Sequence, residues 1–331
     1  MKNKPLILTL FALVCLVLGA IWYQPKPMVK DLQHQSVIRV GILQLVTHEA
    51  LDQICAGTIA ELKADLPKGK QIHVEVLNAE GDQNKLQTMS KQLVSKNDLV
   101  IGIATPAAQA LAHATKEKPV FMSAVSDPVG AKLVTNLGQP RSNVTGLATQ
   151  LPITKTLDLM QSLLPQLKTI GVLYASSEDN SASQVAAFTQ KAQARGYHVK
   201  PYAVPSTNEI ATTMTVLAQS VDALFIPQDN TIASAFPLVV KIAQAQQLPV
   251  FPSVDTMVKA GGLACVFQNQ YQLGVKSAKQ VKQLIAGKKL KDIPIEVVDD
   301  GQALVNSQVA EALKIPLPES TNYQRLSTAA H

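Results

Sequence analysis

The sequence predicts an α/β protein of two similar lobes, each a doubly wound parallel sheet, with a ligand cleft between them, a multi-strand hinge and one apolar helix at the amino end. Three observations predict it. The first is that the core is written twice: Arg39 to Gln44 reads R-V-G-I-L-Q and Thr169 to Tyr174 reads T-I-G-V-L-Y, with Gly at the same place. Asp98 to Pro106 (D-L-V-I-G-I-A-T-P) matches Asp222 to Asn230 (D-A-L-F-I-P-Q-D-N), and Pro119-Val120-Phe121 matches Pro249-Val250-Phe251. The second is an alternation of strand and helix signals, which implies parallel strands joined by right-handed crossovers. The third is size: 331 residues exceed one ordinary core, and 47% hydrophobic against 16% charged residues suits a well-buried globular chain.

At the amino end, Lys2 and Lys4 precede an uncharged apolar run from Pro5 to Tyr23. A run of roughly 18 to 20 residues just spans a bilayer, and the preceding positive charge sends the remainder outward. Residues 1–23 are therefore a signal peptide or membrane anchor, with Trp22-Tyr23 resembling an interfacial anchor. Leu13-Val14 before Cys15 are not the small residues of a lipid-attachment site, so Cys15 reads as a buried thiol.

After a polar linker (24–37), Ile38 to Leu45 is a strand, and Leu51, Ile54, Cys55, Ile59 and Leu62 mark a helix by their spacing. Ile72 to Leu77 alternates as a strand, Asp82 to Val94 is helical, and Leu99 to Ile103 is a fully apolar strand. Thr105-Pro106 opens an Ala-rich helix, a cap followed by proline in the first turn. The second half repeats the order: strand Ile170 to Tyr174, helix Ser181 to Arg195, strand Tyr197 to Ala203, helix Asn208 to Ser220, strand Ala223 to Ile226, helix Ile232 to Gln246 and strand Val250 to Phe251. Gly261 to Val266 adds a strand, Tyr271 to Ala286 a helix ended by Gly287, and Ile295 to Val298 and Ala303 to Val305 short strands. Lobe one is expected over 38–145 plus 270–298, lobe two over 146–269 plus 299–318, and a tail over 319–331. Crossings near Val144 to Gly146, Gln268-Asn269 and Asp299 to Gly301 make a hinge about which lobes close as bodies.

Ligands in open parallel sheets bind at the loops after the strand ends. Here those loops carry Gln44, Thr47 and His48; Thr105; Ser126 and Asp127; Asn180 and Ser181; Asp229 and Asn230; and Asp255. Each single residue suits a helix cap, but all converge on one predicted cleft. Hydroxyls and free N–H groups at helix starts suit a carboxylate, and Asp229 suits an ammonium, so a small zwitterion fits. Tyr174 and Phe251 are the aromatic rings expected nearest the cleft.

Other chemistries lack their signatures. There is no G-x-x-x-x-G-K-[ST], G-x-G-x-x-G after a first strand, H-E-x-x-H or G-x-S-x-G. His48 reads as solvent-facing beside a helix start, and Glu178-Asp179 as turn carboxylates. Cys55 and Cys265, on different lobes, read as buried thiols. A net charge of +6 with scattered Lys and Arg gives no nucleic-acid patch.

Over residues about 38 to 315 the chain resembles the substrate-binding component of bacterial ATP-driven (ABC) importers, in the tryptophan and tyrosine transporter branch. The resemblance rests on V-G-I-L-Q-L-V-T-H-E-A-L-D from Val40, A-T-P-A-A-Q-A-L-A from Ala104, A-V-S-D-P-V-G-A from Ala124, N-V-T-G from Asn143, E-D-N-S from Glu178 and P-Q-D-N-T from Pro227, in order and spacing. It implies a type I periplasmic-binding-protein fold, no catalysis, no cofactor and no metal. It also implies a monomer on the extracytoplasmic face of the membrane that hands a small amino acid (tryptophan, tyrosine or phenylalanine) to a membrane permease. Thr105, Ser126 and Asp127 would meet the ligand from lobe one; Asn180, Ser181, Asp229, Asn230 and Asp255 from lobe two. A sugar- or nucleoside-sensing extracellular domain and an anchored α/β enzyme are the alternatives.

Overall fold

The repeat in the sequence is a repeat in space. The computed structural model describes residues 32–66, 68–138, 142–319 and 322–326. The expected amino-terminal helix lies outside them, and among the described residues no helix is long and apolar enough to cross a membrane. In the first half, strands β1 (Val37–Gln44), β2 (Gln71–Asn78), β3 (Leu99–Ile103), β4 (Val120–Val125) and β5 (Val144–Thr149) alternate with helices α1 (Glu49–Lys63), α2 (Gln83–Lys96) and α3 (Thr105–Ala114). The second half runs α4 (Ile153–Leu163), β6 (Thr169–Ala175), α5 (Asp179–Gln193), β7 (His198–Val204), α6 (Ile210–Leu217), β8 (Ala223–Ile226), α7 (Asn230–Ser234), α8 (Phe236–Ala245), β9 (Val250–Pro252), α9 (Asp255–Lys259) and β10 (Ala264–Phe267). Then come α10 (Gln270–Ile285), β11 (Glu296–Val298), β12 (Gln302–Asn306), α11 (Ser307–Ala312) and β13 (Tyr323–Leu326).

The acidic lead-ins explain why the halves match. The Asp98 carboxylate accepts from the Arg39 backbone N–H at 2.9 Å, and that of Asp222 accepts from Thr169 N–H at 2.7 Å, so each pins the third strand of its half to the start of the first. The Pro119 carbonyl accepts from Val100 N–H and the Pro249 carbonyl from Leu224 N–H, which registers the fourth strand on the third. The larger sheet is wholly parallel, ordered β11-β5-β4-β3-β1-β2, and the second half forms a parallel sheet β7-β6-β8-β9. Apolar residues cover both faces of each, as buried parallel strands require. Ile38, Val40 and Ile42 pack under α1 and α10, while Val100, Val120 and Met122 pack under α2 and α3. In the second sheet Val172, Phe225 and Phe251 pack under α4 and α5, with Phe188 stacked on Phe225 at 4.0 Å between ring centroids.

Helices α1 and α10 meet backbone to backbone, because both carry glycine at the crossing. A methyl on Gly57 would lie 2.1 Å from the Tyr271 carbonyl oxygen, and one on Gly274 2.0 Å from that of Ile54. This close approach sets the first turns of both helices at the cleft.

Four expectations are corrected. Strand β5 runs to Thr149 in the larger sheet, so the lobe-one boundary expected at residue 145 falls inside a strand and the first crossing follows Thr149. The second half is not wholly parallel: β10 pairs antiparallel with β12, and Leu263 joins this mixed sheet to β9 through its N–H to the Val250 carbonyl. The tail expected over 319–331 contains β13, which pairs with β12. The single helix expected over Ile232 to Gln246 breaks at Ala235, because Pro237 in the next turn has no N–H to continue it.

Three chain crossings join the halves, and Gln268 ties them together. Its Nε2 donates to the carbonyls of Gln150 (3.1 Å) and Val298 (2.8 Å), one from each other crossing, and Gln150 N–H donates to Val298 oxygen at 2.8 Å.

Candidate functional site

The strand ends of both sheets face one cavity, an empty volume of about 500 Å³ including its mouth. From the first half come His48 after β1, Leu51 and Ile54 of α1, Ala104 and Thr105 after β3, Ala124 and Ser126 at the end of β4, Thr149 at the end of β5, and Gln270 and Leu273 of α10. From the second come Asn180 of α5, Gln228, Asp229 and Asn230 after β8, and Val254 and Met257 beside α9. Ala104 and Ala124 hold φ of 67° and 56°. Such backbone costs a non-glycine residue ~1–3 kcal/mol and collects at sites where surrounding packing enforces it.

Of the nine residues singled out in the sequence, Thr105, Ser126, Asn180, Asp229 and Asn230 line the cavity; Gln44, Asp127, Ser181 and Asp255 do not. Gln44 is buried behind the wall, its Nε2 donating to Asp52 Oδ1 at 3.2 Å. Asp127 accepts from Gly130 N–H and from the Ser183 hydroxyl, both at 2.8 Å, because its loop turns away from the cavity after β4. Ser181 is buried in the first turn of α5, where its hydroxyl serves the Asp229 carboxylate. Asp255 opens α9 and pairs with Lys259 one turn on, at 2.7 Å.

Asp229 lines the cavity in a role other than the expected ammonium partner. It caps α7, one oxygen accepting from Ile232 N–H at 2.8 Å and the other from Ala175 N–H at 2.6 Å. Burial pushes its carboxyl above the ordinary range, against the pull of those donors. Glu178, read as a turn residue, is instead buried. It accepts from Asn230 N–H and Nδ2–H and from Thr231 N–H and Oγ1–H, at 2.5–3.3 Å. Burial, then the nearby Asp229 charge, push its pKa up to about 7.

His48 is the second reversal. Rather than facing solvent, it reaches across the cleft to Asn230 Oδ1 at 3.3 Å. Because Asn230 Nδ2 is donated to Glu178, Oδ1 is an acceptor and His48 Nε2 carries the proton. Burial holds this imidazole below its ordinary pKa. Tyr174 and Phe251 do not line the cavity; its apolar surface is aliphatic, from Leu51, Ile54, Leu273, Val254 and Met257.

Two buried polar atoms of the cavity lining have no partner among the described residues: Thr149 Oγ1 from the first half and Asn180 Oδ1 from the second. Asn180 Nδ2 donates to the Gln228 carbonyl at 2.9 Å, so its Oδ1 is an acceptor awaiting a donor. An unmet buried polar atom costs ~1–3 kcal/mol, which a bound N–H group at Asn180 would recover. Sequence reasoning missed Thr149 because its strand was cut short, although it ends a strand at the same sheet edge as Ser126. Among the described residues no group of three or more His, Cys, Asp and Glu is placed to hold a metal ion.

Comparison with known proteins agrees with this architecture. The chain is 35% identical over 291 residues to the tyrosine-binding protein of Clostridioides difficile (strain R20291), covering 87% of this chain and 84% of that one. It is similar to the crystal structure of an ABC domain in complex with L-Trp from Streptococcus pneumonia, at 48% identity and a TM-score of 0.83, covering 85% of this chain and 96% of that one. To the ligand-free, open structure of a Clostridium difficile substrate-binding protein with adhesive properties it is similar at 35% identity and a TM-score of 0.67, covering 88% and 99%. The model of the family described as ABC transporter substrate binding protein matches residues 39–327, and with that match spanning all three sheets, the chain belongs to this family of binding proteins that serve ABC transporters.

Proposed function

We propose that the protein captures an amino acid with a large apolar side chain, tryptophan, tyrosine or phenylalanine, between two closing lobes and delivers it to a membrane permease. The observation that carries this is Asn180 Oδ1, a buried acceptor without a donor among the described residues, in a cavity whose apolar lining is aliphatic. The ligand ammonium donates to it, replacing Asp229, whose carboxylate is already occupied by backbone N–H groups. The carboxylate sits at the start of α3, where Thr105 and Ser126 supply hydroxyls beside free helix N–H groups. Leu51, Ile54 and Leu273 on one side and Val254 and Met257 on the other hold the side chain. The role is binding and release, as in the family, rather than catalysis.

Capture requires motion. Lobe one is the larger sheet with α1 to α3 and α10; lobe two is the remainder of the body, and they turn about the three crossings tied by Gln268. The better superposition on the L-Trp complex than on the open relative supports a closed arrangement here. Ligand favours this arrangement by its greater affinity for it. The chain acts as a monomer outside the cytoplasm, tethered by residues 1–23 or released after their cleavage.

Isothermal titration of protein beginning near Ser36 against the proteinogenic amino acids, with sugars and nucleosides as controls, tests the reading. Saturable binding of an aromatic amino acid, weakened at least tenfold by Asn180→Ala, supports it. Binding confined to sugars or nucleosides, or unaffected by the substitution, rejects the ligand class.

A further inference from the structure

Among the described residues, two hydrogen bonds cross the cleft without touching the cavity. Ser183 Oγ of α5 donates to Asp127 Oδ2 at 2.8 Å, and Gln109 Nε2 of α3 donates to Asp179 Oδ2 at 3.0 Å. They are reciprocal: lobe one supplies the carboxylate of the first and the donor of the second. None of the four side chains lines the cavity. The lobe-one arm is braced for this. Asp127 Oδ1 accepts from Gly130 N–H at 2.8 Å, which leaves Oδ2 for Ser183, and Gln109 Nε2 also donates to the carbonyl of Ala131 at 3.2 Å, in the same loop. Glycine at 130 makes room for the carboxylate, since a methyl there would lie 2.2 Å from Asp127 Oδ2.

We propose that Asp127–Ser183, assisted by Gln109–Asp179, is a latch between the lobes that stabilises the closed form and so sets how slowly the ligand leaves. The inference rests on the reading that the lobes open and close. Encounter with ligand occurs in the open form, where the latch is broken. Escape requires breaking it, so the latch acts on the dissociation rate; it touches association only so far as it also closes the free protein. These are positioning residues: they act through lobe closure and touch no ligand.

The test is stopped-flow binding of L-tryptophan and L-tyrosine to the wild type, Ser183→Ala, Ser183→Thr, Gly130→Ala and the Asp127→Asn/Ser183→Ala pair, with small-angle scattering of each protein with and without amino acid. For Ser183→Ala the dissociation rate should rise about 3- to 10-fold, the range of an ordinary net hydrogen bond, since both side chains are only half-buried, with association unchanged or faster. Ser183→Thr should restore slow release, Gly130→Ala should mimic the loss, and the double variant should release no faster than Ser183→Ala alone. Unchanged dissociation in Ser183→Ala, or a further multiplicative loss in the double variant, overturns the latch. If no amino acid binds the wild type, the proposed ligand fails and scattering decides the latch. A compact wild type that expands in Ser183→Ala upholds it, and identical profiles reject it.

Discussion

The two halves place different residues at equivalent corners of the cleft. The helix after the first strand of each half begins at His48 or Glu178, and the helix after the third strand begins at Ala104 or Asp229. In the second half both positions are buried carboxylates saturated by donors of their own half. In the first, one is an imidazole that reaches across the cleft and the other an alanine held at φ 67°. His48 and Glu178 meet at opposite ends of the Asn230 amide. The same strand–loop–helix plan thus yields one wall whose buried carboxylates are satisfied within it and one that reaches across to it through His48.

Glu178→Ala breaks this contrast most severely. It strips the acceptors from two N–H groups, an amide and a hydroxyl around α7, and should cost ~4 kcal/mol or more in urea unfolding, at ~1–3 kcal/mol for each of these groups left unmet. His48→Ala, at the corresponding corner, should cost ~1 kcal/mol or less, for one hydrogen bond. Equal losses would mean the walls are not specialised. Asp229→Asn comes next, at ~1–3 kcal/mol, because an amide offers one acceptor oxygen where Ala175 and Ile232 require two.

The contrast also has a pH signature. Glu178 has its pKa raised from 4.5 to about 7, so the folded state binds the extra proton. The stability it contributes is complete below about pH 4.5 and lost as pH rises through about 7. His48 is lowered from 6.5, so its contribution is present above pH 6.5 and lost as pH falls towards the depressed folded value. Melting temperatures of Glu178→Gln measured from pH 4.5 to 7.5 should lose the wild-type decline and retain the opposite slope from His48; an unchanged profile would remove Glu178 from this role. The smallest effect is Ala104→Gly: relief of the left-handed backbone should raise stability by ~1 kcal/mol, and an unchanged or lower unfolding midpoint would show that the wall is not strained there.

Much of the fold was legible because its signals are local. The paired glycines, the acidic lead-ins Asp98 and Asp222 and the apolar runs located the corresponding strands. Helix α4 and strand β13 escaped because their neighbourhoods carry Pro and polar residues and no repeat partner. The site was legible by position and less so by role. Thr105, Ser126, Asn180, Asp229 and Asn230 reach the cavity because strand-end loops must face the cleft. Asp127 and Asp229, read as ligand groups, are committed to protein donors, while Glu178, read as a turn residue, is buried and His48, read as solvent-facing, is half-buried at its edge.

The sequence by itself determined the order of strands and helices, their doubling and the edge of each sheet that carries polar residues, since these follow from spacing and composition over a few residues. Only the tertiary structure decided which carboxylate is occupied, which acceptor is left open at Asn180 and which side chains join the two halves. A hydrogen-bond partner such as Asn230 for His48, 182 residues away, is set by packing that no local pattern encodes.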